Sequence, residues 1–275
     1  MTDADLKKKT HVTKDDIKAG LSRLGLKKGD NAGVHSSLSS FGYVEGGAET
    51  VIDAILETVA PGGTVVMPTY SKNTRRLELA AEDREAGITS KIEYLPYEPD
   101  KTPCWTGKIA DTFWRRKEAF RGYNENHFNP GHSLSAIGPR AEFLASGGGW
   151  ENLLNSDGYI LLIGVTLYCC SSMHLAEKGI EKPKSPPLPE KLRERLDWHN
   201  RNSKIGGIGG IRLGYSYPGQ LCYPDFKHLE EPCMERGIMK AENVGNSTLK
   251  LVKLSELLDL YRAYLEKEPH LFFHE

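Results

Sequence analysis

The segment from residue 32 to residue 67 constrains the fold of this chain more than any other. A short apolar stretch at 32–35 leads into a polar loop, and apolar residues then recur at helical spacing from Ala48 to Val59. Pro61-Gly62-Gly63 ends that pattern, and Thr64–Met67 is typical of a buried, β-branched strand. This order predicts a βαβ unit with a right-handed crossover, and therefore an α/β fold.

Other segments extend the predicted core on both sides. Thr13 and Asp16 resemble a capping box and predict a helix over about 14–25. Ile109–Trp114 indicates a short helix, and Tyr159–Val165 indicates a second buried strand. Leu254–Leu265 has the spacing of a last helix. We expect one sheet-centred domain flanked by helices.

Two long segments show no sustained periodicity. Residues 72–107 are polar and Pro-rich, and we interpret them as an irregular excursion over the sheet. Residues 182–224 carry Pro, Gly and charge. No linker divides the chain, so the prediction is one domain over 1–275, with a smaller lobe within 180–225.

Charge and cysteine content limit the partners and the compartment. The chain of 275 residues has 36 Lys+Arg against 37 Asp+Glu, and these interspersed charges show no basic face, which argues against nucleic acid or a membrane as the partner. Five cysteines without a disulfide-dense pattern favour free thiols in the cytoplasm. The longest apolar run, from Tyr159 to Cys170, is too short to span a bilayer. Small-molecule chemistry remains open.

A serine-rich loop follows the first predicted strand. His35-Ser36-Ser37-Leu38-Ser39 places hydroxyl and backbone N–H groups between a strand and a helix, where phosphate oxygens can bind. A P-loop pattern is missing, and Gly206–Gly210 is no dinucleotide fingerprint. The alternative is an ordinary hydrogen-bonded turn, which is commoner for such a loop.

His174 and Glu177 follow the second buried strand three residues apart. On a helix they share a face, so the carboxylate can orient the imidazole as a general base. The alternative is a half-buried histidine near a helix start. A further alternative is a cysteine hydrolase that uses Cys169 or Cys170 with His174. The spacing of the cysteines does not fit a zinc site, and we expect no metal.

A third polar cluster lies in a Gly/Asn/Pro-rich stretch. It comprises Arg121, His127, His132 and Ser133. From the residues alone, a surface loop explains it equally well.

Several segments together resemble the aminoglycoside 3-N-acetyltransferase family, which is distinct from the GNAT acetyltransferases. The resemblance covers most of the chain and rests on the order of its motifs. These are Val34–Leu38, Gly46–Ala48 with Val51-Ile52, Gly63–Thr69, Asn129–Ser133, Ala136–Gly138, Leu161–Val165 and His174–Glu177.

The resemblance implies a mixed-sheet α/β core with acetyl-coenzyme A as co-substrate and an amine as acceptor. His174 would be the catalytic histidine, supported by Glu177. Donor binding would fall to the loop from His35 to Gly42, and Arg121 would contact a coenzyme A phosphate. The residues assigned to donor binding are His35, Ser36, Ser37, Leu38, Ser39, Phe41, Gly42, Arg121 and Ser133.

The acceptor implied by the resemblance is an aminoglycoside, acetylated at its 3-amino group. The stretch Tyr168–Met173, before His174, departs from the Thr-rich pattern of the family. Another amine metabolite and a non-catalytic ligand-binding homologue are therefore the alternatives. A polycationic acceptor calls for clustered carboxylates, for which the candidates are Glu98, Asp100, Glu125, Asp157 and Glu177. A homodimer is compatible with this interpretation.

Overall fold

The computed structural model describes residues 11–71, 74–95, 97–122, 133–180, 187–202, 212–216, 224–268 and 272. Its strands are β1 (His11–Val12), β2 (Ala32–Ser36), β3 (Tyr43–Val44), β4 (Val65–Pro68), β5 (Thr74–Arg76), β6 (Ser90–Tyr94), β7 (Phe120–Arg121), β8 (Leu134–Ile137), β9 (Tyr159–Ile163), β10 (Arg212–Ser216), β11 (Met239–Val244) and β12 (Ser247–Lys253). Its α-helices are α1 (Lys14–Leu24), α2 (Gly47–Val59), α3 (Ala81–Glu85), α4 (Lys108–Phe113), α5 (Ala141–Ala145), α6 (Gly149–Asn155), α7 (Glu190–Asn202), α8 (Glu230–Glu235) and α9 (Leu254–Lys267).

A seven-stranded mixed sheet organises the molecule, with strand order β11-β12-β9-β2-β4-β8-β7. The three central strands β9, β2 and β4 are parallel, and the two strands on either side of them are antiparallel to their neighbours. The predicted βαβ unit is confirmed as β2, α2 and β4. Helix α2 buries Val51, Ile52 and Ile55 against the sheet.

Two apolar layers cover the two faces of this sheet. Val34, on β2, faces the layer to which α1 and α2 contribute. Leu162, on β9, faces the other layer, built from α5, α6 and α9. Because alternate residues of a strand point to opposite faces, the near-continuous apolar run of β9 follows from burial on both sides.

Local signals locate several elements correctly. The Thr13 hydroxyl accepts from the Asp16 N–H, and the Asp16 carboxylate accepts from the Thr13 N–H, which confirms the capping box. The short helix near 109–114 is α4, and the last predicted helix is α9. In the described part of the chain, no helix is long and apolar enough to cross a membrane.

The prediction of irregular structure in 72–107 and 182–224 is wrong in part. β5 and β6 lie in the first segment and β10 in the second, and they form one three-stranded antiparallel sheet. The pairing of β10 with β6 joins distant parts of the chain, so the sequence of neither segment alone indicates a sheet. Helix α7 was not predicted, because its buried residues among those described are Leu192 and His199, and these two do not give an apolar periodicity.

Candidate active site

The carboxyl ends of β9, β2 and β4 form one edge of the central sheet. Ser36 pairs in register with Ile163, so the segments after β2 and β9 leave the sheet side by side. The crossover through α2 leads from β2 to β4 on one side, while β9 lies on the other. β2 is therefore a topological switch point, where α/β sheets bind ligands.

The serine loop after β2 is held against the turn after β9. The Ser37 N–H donates to the Ile163 carbonyl at 2.9 Å, and the Ser40 hydroxyl donates to the Ser37 carbonyl at 2.7 Å. Gly164 has a φ of +62°, and a Cβ there would lie 1.9 Å from the Ser40 Oγ. The close approach of the two segments thus requires glycine at 164.

The residues of the predicted donor loop differ in how far they are exposed to solvent. Ser39 is exposed, and its half-buried neighbours in the predicted set are Ser36, Ser37, Leu38 and Gly42. These positions can face a ligand. The side chains of His35 and Phe41 cannot, because they are 4% and 0% exposed and belong to the core. Contact of these two residues with the donor would therefore fall to their backbone groups, and it stays a prediction.

His174 and Glu177 form a pair on a 3-10 helix, Ser171–Glu177, that follows β9. The His174 Nδ1 lies 2.8 Å from the Glu177 Oε1. The histidine side chain is 38% exposed and the glutamate side chain 4%. Donation from Nδ1 to the carboxylate selects the tautomer whose Nε2 carries the lone pair, which is the form a general base needs.

Two residues from later in the chain, Tyr261 and Phe226, contact the His174–Glu177 pair. The Tyr261 hydroxyl, on α9, donates to the Glu177 Oε1 at 3.3 Å, and burial together with the nearby Glu177 raises the pKa of Tyr261. The tyrosine therefore stays protonated and acts as a donor. Phe226 contacts the His174 ring edge-on, with 5.2 Å between ring centroids. Neither residue was predicted from the sequence to belong to the site.

Arg121 is held in the interior of the protein, and its assignment to a coenzyme A phosphate stays a prediction. Its side chain is buried, and its guanidinium donates to the carbonyls of Pro99, Thr102 and Thr69 at 3.0, 2.6 and 2.7 Å. It also lies 4.2 Å over the Trp114 ring. These bonds use Nη1 and Nη2, whereas the Arg121 Nε is buried without a hydrogen-bond partner among the described residues.

Ser133 is likewise part of the interior. It is 2% exposed, accepts from the Tyr97 hydroxyl at 2.8 Å and donates to the Thr69 carbonyl at 3.2 Å. Its assignment to donor binding stays a prediction. His127 and His132, with the motif Asn129–His132, lie outside the described residues.

The cysteines near the site do not have the properties of nucleophiles. Burial raises the pKa of the Cys170 thiol to about 12, and burial also raises that of Cys169. A thiol with a raised pKa yields little thiolate at neutral pH, which disfavours a cysteine hydrolase. Cys104, Cys169, Cys170 and Cys233 are free, Cys222 lies outside the described residues, and no group of three potential metal ligands occurs within the described ranges.

Among the acidic candidates for an acceptor pocket, Glu177 contacts His174, and Asp100 is exposed. Glu98 pairs with Lys101 and Asp157 pairs with Lys253, each in an ion pair on the surface. Glu125 lies outside the described residues.

Fold and site together define an α/β protein with a histidine–carboxylate pair beside a polar loop at a sheet switch point. The family model for aminoglycoside 3-N-acetyltransferase matches residues 34–266. The chain belongs to the aminoglycoside 3-N-acetyltransferase family, a family of acyltransferases, as the sequence motifs predicted.

Curated relatives agree with this assignment. The aminoglycoside N(3')-acetyltransferase-like protein YokD of Bacillus subtilis is 32% identical over 266 residues, which cover 90% of each chain. Aminoglycoside N(3)-acetyltransferase IX of Micromonospora chalcea is 30% identical over 178 residues, or 60% of this chain and 62% of that one. The chain thus matches somewhat less than two thirds of the Micromonospora enzyme but nearly all of YokD.

Solved structures confirm the predicted fold. A mutant of aminoglycoside acetyltransferase AAC(3)-IVa in complex with a gentamicin superposes with a TM-score of 0.71 at 23% identity, covering 96% of this chain and 92% of that one. AAC-IIIb in a binary complex with CoASH superposes with a TM-score of 0.64 at 22% identity, covering 94% and 97%.

Proposed function

We propose that this chain transfers an acetyl group from acetyl-CoA to an amine, the 3-amino group of an aminoglycoside. The observation that carries the proposal is the 2.8 Å contact between His174 Nδ1 and Glu177 Oε1, at the edge where α/β sheets bind ligands. Membership of the family supplies the class of donor and acceptor. A non-catalytic binder would have no need of an oriented base, and this favours the enzyme.

The proposed reaction is direct. His174 Nε2 takes a proton from the amine as its nitrogen forms a bond to the acetyl carbon, and the carbon–sulfur bond then breaks. The CoA thiolate that leaves accepts the proton from the imidazolium. Glu177 holds the ring and stabilises its positive charge, while the Tyr261 hydroxyl keeps the carboxylate in place.

The half-buried and exposed positions of the loop 36–42 fit a polar donor that lies along the edge of the sheet. Their hydroxyl and N–H groups can bind the pantetheine amides and the pyrophosphate oxygens of acetyl-CoA. Acetyl-CoA supplies the activated thioester. We place the protein in the cytoplasm, where acetyl-CoA is made and thiols stay reduced.

The proposal is tested by His174→Ala, Glu177→Gln and the control His11→Ala, which removes an exposed histidine on β1. Thiol release from acetyl-CoA is followed with aminoglycosides and simpler amines as acceptors. We expect kcat to fall at least about a hundredfold in His174→Ala, because general-base catalysis contributes roughly 10²–10⁴. The loss in Glu177→Gln should be smaller, since the base remains.

Calorimetry should show unchanged binding of CoA to His174→Ala. Near-normal turnover by this variant would refute the mechanism, and absence of CoA binding to the wild type at millimolar concentration would refute the function. Acetylation of only non-aminoglycoside amines would support the alternative acceptor. One domain over 1–275 and a homodimer remain predictions, the latter to be measured by sedimentation.

A further inference from the structure

Tyr70 links the end of β4 to the helix that carries His174. Its hydroxyl donates to the Ser171 Oγ at 2.5 Å, across 101 residues of sequence. The same hydroxyl accepts a hydrogen bond from the Trp150 side chain, and burial raises the pKa of the phenol. Tyr70 is thus a neutral donor between α6 and the 3-10 helix.

Trp150 is itself held by β2. Its ring stacks on His35, with 5.5 Å between centroids and 23° between planes. A Cβ at Gly33 would lie 2.7 Å from the Trp150 Cζ3, so the indole covers the strand where a side chain is missing. The indole that orients Tyr70 is therefore fixed on the central strand of the sheet.

The geometry of the 3-10 helix brings this contact to the catalytic pair. With three residues per turn, Ser171, His174 and Glu177 lie on one face of the helix. Its first residue is bound by Tyr70 and its last by Tyr261. Both ends of the segment are thereby attached to the body of the protein, with His174 one turn from each.

We propose that Tyr70, oriented by Trp150, is a positioning residue for His174: it fixes the Ser171 end of the 3-10 helix and with it the direction of the imidazole. The catalytic consequence rests on the proposed function. Loss of the hydroxyl leaves Ser171 and Trp150 without this partner, so the helix opens more often and the base is aligned less of the time.

The test compares Tyr70→Phe with the control Tyr159→Phe. Tyr159 is also partly buried, but it lies at the amino end of β9, at the opposite edge of the sheet. In Tyr70→Phe we expect amide hydrogen exchange over 171–177 to accelerate about three- to tenfold. We also expect kcat to fall about tenfold, with the KM for acetyl-CoA within about twofold. Both quantities should be unchanged in Tyr159→Phe.

The partner residue provides a second measurement. Ser171→Ala should accelerate exchange over the same segment, and the double variant with Tyr70→Phe should be no worse than either single one. Unaltered exchange in Tyr70→Phe, or faster exchange with wild-type kcat, overturns the proposal. A wild type that transfers no acetyl group refutes the proposed function, while the exchange data still decide whether Tyr70 holds the helix.

Discussion

His35 gives the protein a defined sensitivity to acid. Its imidazole is 4% exposed and stacks on Trp150, and burial lowers its pKa from 6.5 to about 4. Between these two values the unfolded chain binds a proton that the folded protein does not. The free energy of unfolding therefore falls as the pH decreases from 6.5 to 4, and this contribution is present in full above 6.5.

The size of the effect follows from the shift. A shift of one pKa unit corresponds to about 1.4 kcal/mol, so complete acidification through the window costs about 3 kcal/mol, and about 2 kcal/mol is already lost at pH 5. His35→Phe keeps a ring against Trp150 but removes the titrating group. The difference in unfolding free energy between wild type and His35→Phe reports the titration of His35, because carboxylates that titrate over the same pH range are present in both proteins.

Urea unfolding of both proteins at several pH values between 4 and 7.5 measures this difference. We expect the stability of the wild type, relative to His35→Phe, to decline by about 2 kcal/mol between pH 7 and pH 5. His11→Phe is the control for loss of an exposed histidine. Parallel curves for the wild type and His35→Phe would show that the imidazole is not buried in its neutral form.

Two further predictions concern the contact between Gly164 and the serine loop, and the attachment of helix α7 to Asp83. Gly164→Ala should displace Ser40 and raise the KM for acetyl-CoA several-fold. The control Gly179→Ala has a similarly positive φ, and no described atom lies within 4 Å of the added Cβ, so the KM should be unchanged in the same steady-state assay. Asp83→Asn removes a fully buried carboxylate that receives hydrogen bonds from Arg195 and His199 at 2.6 Å each. It should destabilise α7 by roughly 3 kcal/mol, seen as lost exchange protection over 190–202. Full protection in this variant would contradict that role.

The parts of the fold that depend on local sequence were predictable. Helical spacing and the Pro-Gly-Gly stop define α2, and the capping residues define the start of α1. The pairing of β10 with β6 was not predictable, because the two strands lie more than one hundred residues apart and neither alternates clearly. Local patterns carry no information about which distant strand completes a sheet.

In the site, too, contacts between residues close in sequence were predictable, and contacts between distant segments were not. His174 and Glu177 are three residues apart, so their contact follows from helical geometry. Tyr261 lies in the apolar stripe of α9, where a buried phenol needs a hydrogen-bond partner, and that need was the available signal. The partners of Arg121 could not be predicted, because they are carbonyls from two other segments of the chain.

The position of His174 relative to the serine loop follows from strand order. β2 and β9 are adjacent parallel strands, so their carboxyl ends lie about 5 Å apart. The loop after β2 and the segment after β9 are consequently neighbours although about 130 residues separate Ser40 from His174. A transferase needs the thioester and the base within reach of one amine, and two adjacent parallel strands meet that need without a long excursion of either segment. The antiparallel strands β12 and β8 flank the three parallel strands β9, β2 and β4. The carboxyl ends of these three strands therefore lie together, and the two segments meet there.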